Sequence, residues 1–189
     1  MTSDAHSWAA DLTTLHTQVW DLLIRGVHDR RAAARHPTFA TIAPTGLPET
    51  RTVVLRAVDR AAASVEVHTD LHSAKVTALR ANRHAALHIW DPSARLQMRI
   101  DVAAEILSGD VVAATWARVP DMSRQGYGKR PAPGQPISDA LAYTKHADIR
   151  SFAVLRLNVQ AVDALHLGRD HRRARFERSE GWAGQWLVP

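Results

Sequence analysis

Apolar residues recur at three- and four-residue spacing through Trp8, Leu12, Leu15, Val19, Leu22 and Leu23, which predicts a helix over residues 3–25 with Ser3 or Asp4 as its cap and Gly26 as its stop. A polar, arginine-rich stretch from His28 to His36 follows, and at Pro37 the period changes. Short β-like segments then alternate with turn residues. Thr38–Ala43 is followed by the turn signal Pro44-Thr45-Gly46-Leu47-Pro48, then Arg51–Val58, a charged break at Asp59-Arg60, and Ser64–Thr69. Strands joined by such turns pair antiparallel. Ser73–Ala81 reads as a helix ended by Asn82, and His84–Trp90 as a strand closed by the turn Asp91-Pro92-Ser93. Leu96–Ile106 reads as a long strand with Met98, Ile100 and Val102 on one face, and Asp110 caps a helix running to Arg118.

From Pro120 to Pro136 the chain is least regular, with Gly126, Gly128, Gly134 and four prolines beside Arg124, Lys129 and Arg130. Loops of that length in compact domains are usually functional or disordered. A short helix over Ser138–Thr144, a long or bulged strand over Ser151–Leu167, a basic strand over Asp170–Arg178 and a tryptophan-bearing end complete the chain. Six or seven strands with a few short helices, lacking the strict alternation of a doubly wound sheet, predict a mainly β fold with flanking helices. An antiparallel barrel is the expected closure, because it removes exposed edges. The expected organisation is a single domain, with residues 1–36 a helical segment packed on the barrel of residues 37–189.

Length and composition agree with one globular domain: 189 residues, 46% hydrophobic and 23% charged. The absence of cysteine excludes disulfides, zinc–thiolate sites, iron–sulfur clusters and thiol nucleophiles. No apolar run approaches the roughly 20 residues of a membrane-spanning helix. Asp4 and Asp11 do not suit a secretory signal, so a cytoplasmic protein without a membrane partner is expected. The net charge is +5, and 21 of the 24 cations are arginine. A guanidinium fork grips phosphate and carboxylate, so the excess points to a phosphorylated small molecule or nucleic acid, or else to a solvated surface that uses arginine for lysine.

Placement narrows that choice. There is no Gly-x-Gly-x-x-Gly after a strand, no P-loop and no Gly-x-Ser-x-Gly elbow. The pairs His68/His72 and His84/His88 lack both helical context and a carboxylate, so no metal is expected. Four clusters remain. Arg51-Thr52-Val53-Val54-Leu55-Arg56 places a cation at each end of an apolar strand. His68-Thr69-Asp70-Leu71-His72-Ser73-Ala74-Lys75 brings hydroxyls and an ammonium to the start of a helix, where free N–H groups suit a phosphate; ordinary capping is the plainer alternative. Arg95-Leu96-Gln97-Met98-Arg99 opens a strand. Arg169–Arg178 is basic, either a solvated edge or a nucleic-acid contact with few aromatics to stack bases.

In this order and spacing, from Thr38 to Pro189, the clusters resemble the pyridoxamine 5′-phosphate oxidase family of FMN-binding split β-barrel proteins. The ending Trp182…Trp186-Leu187-Val188-Pro189 resembles the family's closing Trp…Leu-x-Pro. The resemblance implies a homodimer with FMN at the subunit interface. Arg51, Thr52, Val53, Val54, Leu55 and Arg56 would lie along the flavin with Arg51 near its phosphate. Thr69 and Lys75 would hold that phosphate with the helix-start hydroxyl of Ser73, and His68 would bind the cofactor in place of an aromatic. Gln97 would stand beside the flavin, and Gln135 and Arg175 would come from the partner subunit. The vitamin substrate's positions fall on Arg56, where the family has lysine, on Ser123 and on Arg173. Thr115 and Val119 stand in place of a phosphate-holding Tyr and Arg, Ala74 in place of a second phosphate-binding Arg, and Leu165 in place of a Trp set against the flavin.

The implied function is an FMN-dependent oxidoreductase acting on an unidentified small molecule, with the flavin site kept and the pyridoxamine phosphate site largely changed. The isoalloxazine carries the chemistry, so no catalytic side chain is named. A non-enzymatic flavin or haem binder on the same fold is the alternative, ahead of authentic pyridoxamine 5′-phosphate oxidation. The arginines placed at the clusters favour a cofactor over nucleic acid, which is not an expected partner.

Overall fold

The structure is a computed structural model and describes residues 6–189. After a 3₁₀ turn at Ser7–Ala10, helix α1 spans Leu12–His28. Asp11 caps it, its carboxylate accepting the Thr14 N–H at 2.9 Å. The expected caps Ser3 and Asp4 lie outside the described residues. Leu15, Val19, Trp20, Leu22 and Leu23 form the buried stripe that seats α1 on the sheet. Gly26 does not stop the helix but lies within it. Its missing Cβ admits the 3₁₀ turn Ala33–Arg35, and a Cβ there would sit 2.7 Å from the Ala34 carbonyl carbon.

Among the described residues the chain forms nine strands: β1 (Thr38–Ile42), β2 (Pro48–Thr52), β3 (Leu55–Asp59), β4 (Ser64–Asp70), β5 (His84–Asp91), β6 (Leu96–Ser108), β7 (Phe152–His166), β8 (Arg172–Glu177) and β9 (Gln185–Leu187). Helix α2 (Ala74–Ala81) joins β4 to β5, and the short helices α3 (Ala113–Arg118) and α4 (Asp121–Arg124) follow β6. All neighbours are antiparallel, in the order β2-β1-β5-β6-β7-β4-β3, with β8 on β7 and β9 on β8. β7 pairs with β6 throughout, with β4 over Phe152–Asn158 and with β8 over Ala161–His166. A register skip at Asp101/Val102, opposite Gln160, bends β7 where its third neighbour changes.

The sheet curls without closing. The segment expected as one strand, Arg51–Val58, is cut at Val53-Val54: β2 pairs with β1, β3 pairs with β4, and the two do not pair with each other. The Val53 N–H donates instead to the Pro37 carbonyl at 3.0 Å. The barrel is therefore split rather than edge-free, and it has more strands than the pattern suggested. No helix forms over 138–144, where the backbone makes turns and pairs Arg130 with Thr144. The main core joins α1 to the inner face of the sheet, and a smaller cluster of Val112, Val119, Tyr127, Phe152 and Val154 lies under α3. No helix among the described residues is long and apolar enough to cross a membrane.

Gly26→Val tests the close approach. Backbone atoms of Ala34 cannot rotate away, so overpacking should cost about 1–3 kcal/mol and lower the urea midpoint. An unchanged midpoint would show that the 31–36 turn moves aside freely.

Candidate functional site

The turn from β4 into α2 gathers three of the expected phosphate ligands. Thr69 is buried; its hydroxyl accepts from the Lys75 ammonium at 3.0 Å and meets the Ser73 hydroxyl at 3.2 Å. Ser73 is the N-cap of α2, yet its side chain caps no backbone N–H and turns to this cluster instead. Lys75 makes no ion pair among the described residues. Burial lowers its pKa, the charge of Arg51 lowers it further, and Asp70 opposes both. A partly buried ammonium and two hydroxyls at a helix start make a cradle that fits a phosphate monoester. Arg51 stands at this end because it pairs with Phe39 of β1, against which α2 packs. Its guanidinium donates to Thr41 Oγ1 at 2.6 Å and Glu49 Oε2 at 2.8 Å, so it acts on the cradle as a fixed nearby charge. Ala74 offers the cradle no side-chain donor.

Thr52 is exposed, Val54 half-buried, and Val53 and Leu55 are buried. Arg56 is the extra residue of a β-bulge, since Leu55 faces Val67 while Ala57 faces Glu66. Bulges re-aim side chains, and this one sends Arg56 into a cavity of about 360 Å³ with Glu66, His68, Thr115, Arg118 and Val119. His68 meets Phe152 edge-on at 5.0 Å. Burial, then the charge of Arg56, holds its pKa down to about 4, so it is neutral at physiological pH. Tyr127 and Trp116 pack on the same Phe152, at 4.9 and 5.2 Å. Burial raises the Tyr127 pKa against the pull of Arg56, whose guanidinium faces the hydroxyl. Ser123 lies in α4, half-buried and outside the cavity lining. Arg118 and Tyr127 were not singled out in the sequence. Arg118 was legible from helical spacing, as Thr115, Arg118 and Val119 fall at i, i+3 and i+4.

The remaining expected residues lie on the outer face of the sheet. Register aligns Trp90, Gln97, Leu165 and Arg173 in one row, and His88, Arg99, Asp163 and Arg175 in the next. Asp163 is 3% exposed and accepts from Arg99 at 2.7 Å and Arg173 at 2.8 Å. Burial alone would raise its pKa; the bonds from Arg173 and Arg99 outweigh it and the net shift is downward. Arg175 donates to Glu177 at 2.8 Å and Asp101 at 3.1 Å. Arg173 and Arg175 are thus balanced by Asp163 and Asp101, which strand register brings near, and by Glu177, two positions along β8 on the same face. The sheet's curl brings Thr50 of β2 and Arg175 of β8 to the lining of one outer cavity, with Thr38, His88, Arg99 and Asp163. Gln135 is exposed in the 120–148 loop. Within one chain the structure joins Thr69, Ser73 and Lys75, with Arg51 near them, and joins Arg56 to His68; it sets Gln97, Arg173 and Arg175 on another face. Among the described residues no cluster of three or more metal-ligating side chains occurs.

The neutral state of His68 has a measurable consequence in the cofactor-free protein. Its folded pKa, about 4, lies below the ordinary 6.5, so as pH falls the unfolded chain binds the proton first. Stability should therefore decline from pH 6.5 toward pH 4, and His68→Phe, which keeps the edge contact with Phe152, should flatten that decline relative to wild type. Parallel pH profiles for the two proteins would refute the assignment.

Comparisons with known proteins agree with this fold. Residues 16–108 match the family described as pyridoxamine 5′-phosphate oxidase, FMN-binding domain. A pyridoxine/pyridoxamine 5′-phosphate oxidase of Xanthomonas oryzae pv. oryzae is 31% identical over 155 residues, covering 80% of this chain and 68% of the relative. A pyridoxamine 5′-phosphate oxidase-related, FMN-binding protein from Nostoc punctiforme shares the fold with a TM-score of 0.76 and 24% identity, over 92% of this chain and 96% of that one. PhzG from Burkholderia lata, solved with tetrahydrophenazine-1-carboxylic acid, superposes with a TM-score of 0.72 and 19% identity, over 92% of each chain. On its split antiparallel sheet and on these relatives, the chain belongs to the pyridoxamine 5′-phosphate oxidase family.

Proposed function

We propose that the protein is an FMN-dependent oxidoreductase, dimeric, acting on a small anionic molecule. The observation that carries the reading is the cradle: Lys75 is half-buried beside Thr69 and Ser73, with Arg51 near and no carboxylate bonded to it among the described residues. A bound phosphate would relieve the repulsion between Lys75 and Arg51 and take up donors already gathered. Bound FMN supplies two-electron redox chemistry. The chain's own residues hold and orient: Lys75, Thr69 and Ser73 at the phosphate, and the 52–55 backbone along the ring. Arg175 and Gln135 reach the ring from a second copy, as the family resemblance implies. The cavity at Arg56 takes the substrate. Arg56 and Arg118 line it, and Glu66, the acid there, already bonds Arg156 at 3.4 Å, so the cavity favours an anion. Thr115 and Val119, where the family grips a phosphate with Tyr and Arg, favour a substrate other than pyridoxamine 5′-phosphate.

The visible spectrum of the purified protein and an FMN titration test the cofactor. Flavin bands are expected, a Soret band would show haem instead, and a colourless protein that ignores added FMN would overturn the reading. Lys75→Ala removes a charge-assisted bond worth about 1.5–3 kcal/mol, so FMN affinity should fall roughly tenfold to a hundredfold; an unchanged affinity would place the phosphate elsewhere. Light scattering of the loaded protein should give twice the chain mass, and a monomer with full affinity would exclude the shared site. Flavin that no nicotinamide donor reduces and no acceptor reoxidises would leave a binding protein rather than an enzyme.

A further inference from the structure

Asp70 ends β4 between the two parts of the site and is 6% exposed. One carboxylate oxygen accepts the His72 N–H at 2.9 Å, holding the turn that carries Thr69 and Ser73. The other accepts the Gly128 N–H, also at 2.9 Å, across 58 positions of sequence. Gly128 has φ +107°, and a Cβ there would lie 2.7 Å from the His146 carbonyl oxygen, so this position is built for backbone alone. Its neighbour Tyr127 packs on Phe152 and faces Arg56, and the Tyr127 carbonyl accepts from the Asp148 N–H at 3.1 Å. The charge of Asp70 is felt at both Lys75 and Tyr127. A single buried carboxylate therefore touches the cradle turn on one side and the cavity's loop on the other.

We propose that Asp70 is a positioning residue that ties the 120–148 loop to the phosphate cradle, so that filling the cradle fixes the wall of the Arg56 cavity. The proposal rests on FMN occupying the cradle. A phosphate on Lys75, Thr69 and Ser73 holds the 69–73 turn, the turn holds the Asp70 carboxylate, and the carboxylate holds Gly128 and with it Tyr127. The coupling is reciprocal by linkage: a ligand that orders the loop tightens FMN.

Hydrogen exchange of the full-length protein with and without FMN tests this, alongside FMN affinity from flavin fluorescence. In the wild type FMN should slow exchange across 120–148 by about tenfold, within the usual range of coupling between sites. Asp70→Asn keeps the shape but replaces an acceptor with a donor, so it cannot accept both N–H groups. It should bind FMN within about threefold of wild type, a small change in free energy, while losing the loop protection. Gly128→Ala breaks the tie from the loop side without touching the cradle, and serves the same purpose should Asp70→Asn not fold. Wild-type protein that binds FMN with no change in loop exchange would overturn the proposal and leave FMN binding intact. So would loop protection that persists in the variants. An affinity loss in Asp70→Asn as large as that of Lys75→Ala would make Asp70 part of the cradle and overturn the positioning role. Wild-type protein that binds no FMN would remove both readings.

Discussion

A strand of fifteen residues with three neighbours sets the geometry of this molecule. β7 lies along β6 throughout, but its first half also carries β4 and its second half carries β8. β4 and β8 lie end to end along the edge that β6 leaves free, and the register skip opposite Gln160 falls in the gap between them, where a bulge bends the strand. The first half thereby places the β4–α2 turn and its cradle, while the second half places the arginines of β8 on the outer face. Phe152 in the first half is shared by Tyr127, Trp116 and His68, so one buried ring seats the cavity, the loop and the strand together.

The charge pattern follows from the same registers. Most cations near the sheet are answered by a carboxylate on an adjacent strand or nearby residue: Arg99 and Arg173 by Asp163, Arg175 by Asp101 and Glu177, Arg156 by Glu66 and Glu105, and Arg51 by Glu49. Of the half-buried cations without an ion pair among the described residues, Arg35 and Lys129 donate to backbone carbonyls, whereas Lys75 and Arg56 face hydroxyl oxygens. Leaving a charge partly desolvated without a counter-ion is unfavourable, so these two positions mark where an anion from outside would be most stabilised. The arginine excess by itself carried no such information.

What was legible in the sequence was local. The β4 and β5 segments, the N-cap at Ser73, the bulged last long strand and the grouping of Thr69, Ser73 and Lys75 all depend on residues close in the chain, and the periodicities that signal them survive in the fold. Gly26 misled because a glycine in a helix marks an end or a close approach with the same letter, and only Ala34 distinguishes them. The cut at Val53-Val54 was hidden because alternating burial continues across it, from Arg51 to Leu55, while the hydrogen-bonding partner changes. The pairing of Asp163 with Arg99 and Arg173, and of Asp70 with Gly128, spans too many residues for any spacing rule to find.

His68 shows how a departure from the family's pattern can preserve packing while altering chemistry. A ring at this position packs edge-on against Phe152, and imidazole keeps that contact. Burial and Arg56 together keep the ring uncharged at physiological pH. A neutral imidazole still carries one donor and one acceptor nitrogen, which a phenyl ring lacks. The exchange therefore leaves the charge of the cavity with Arg56 and Arg118, while adding a polar ring to its lining. Protonating it would set a further positive charge beside Arg56 in a half-buried space, so burial first, and then the Arg56 charge that also makes the cavity favourable to an anion, hold His68 in the state that can accept a hydrogen bond.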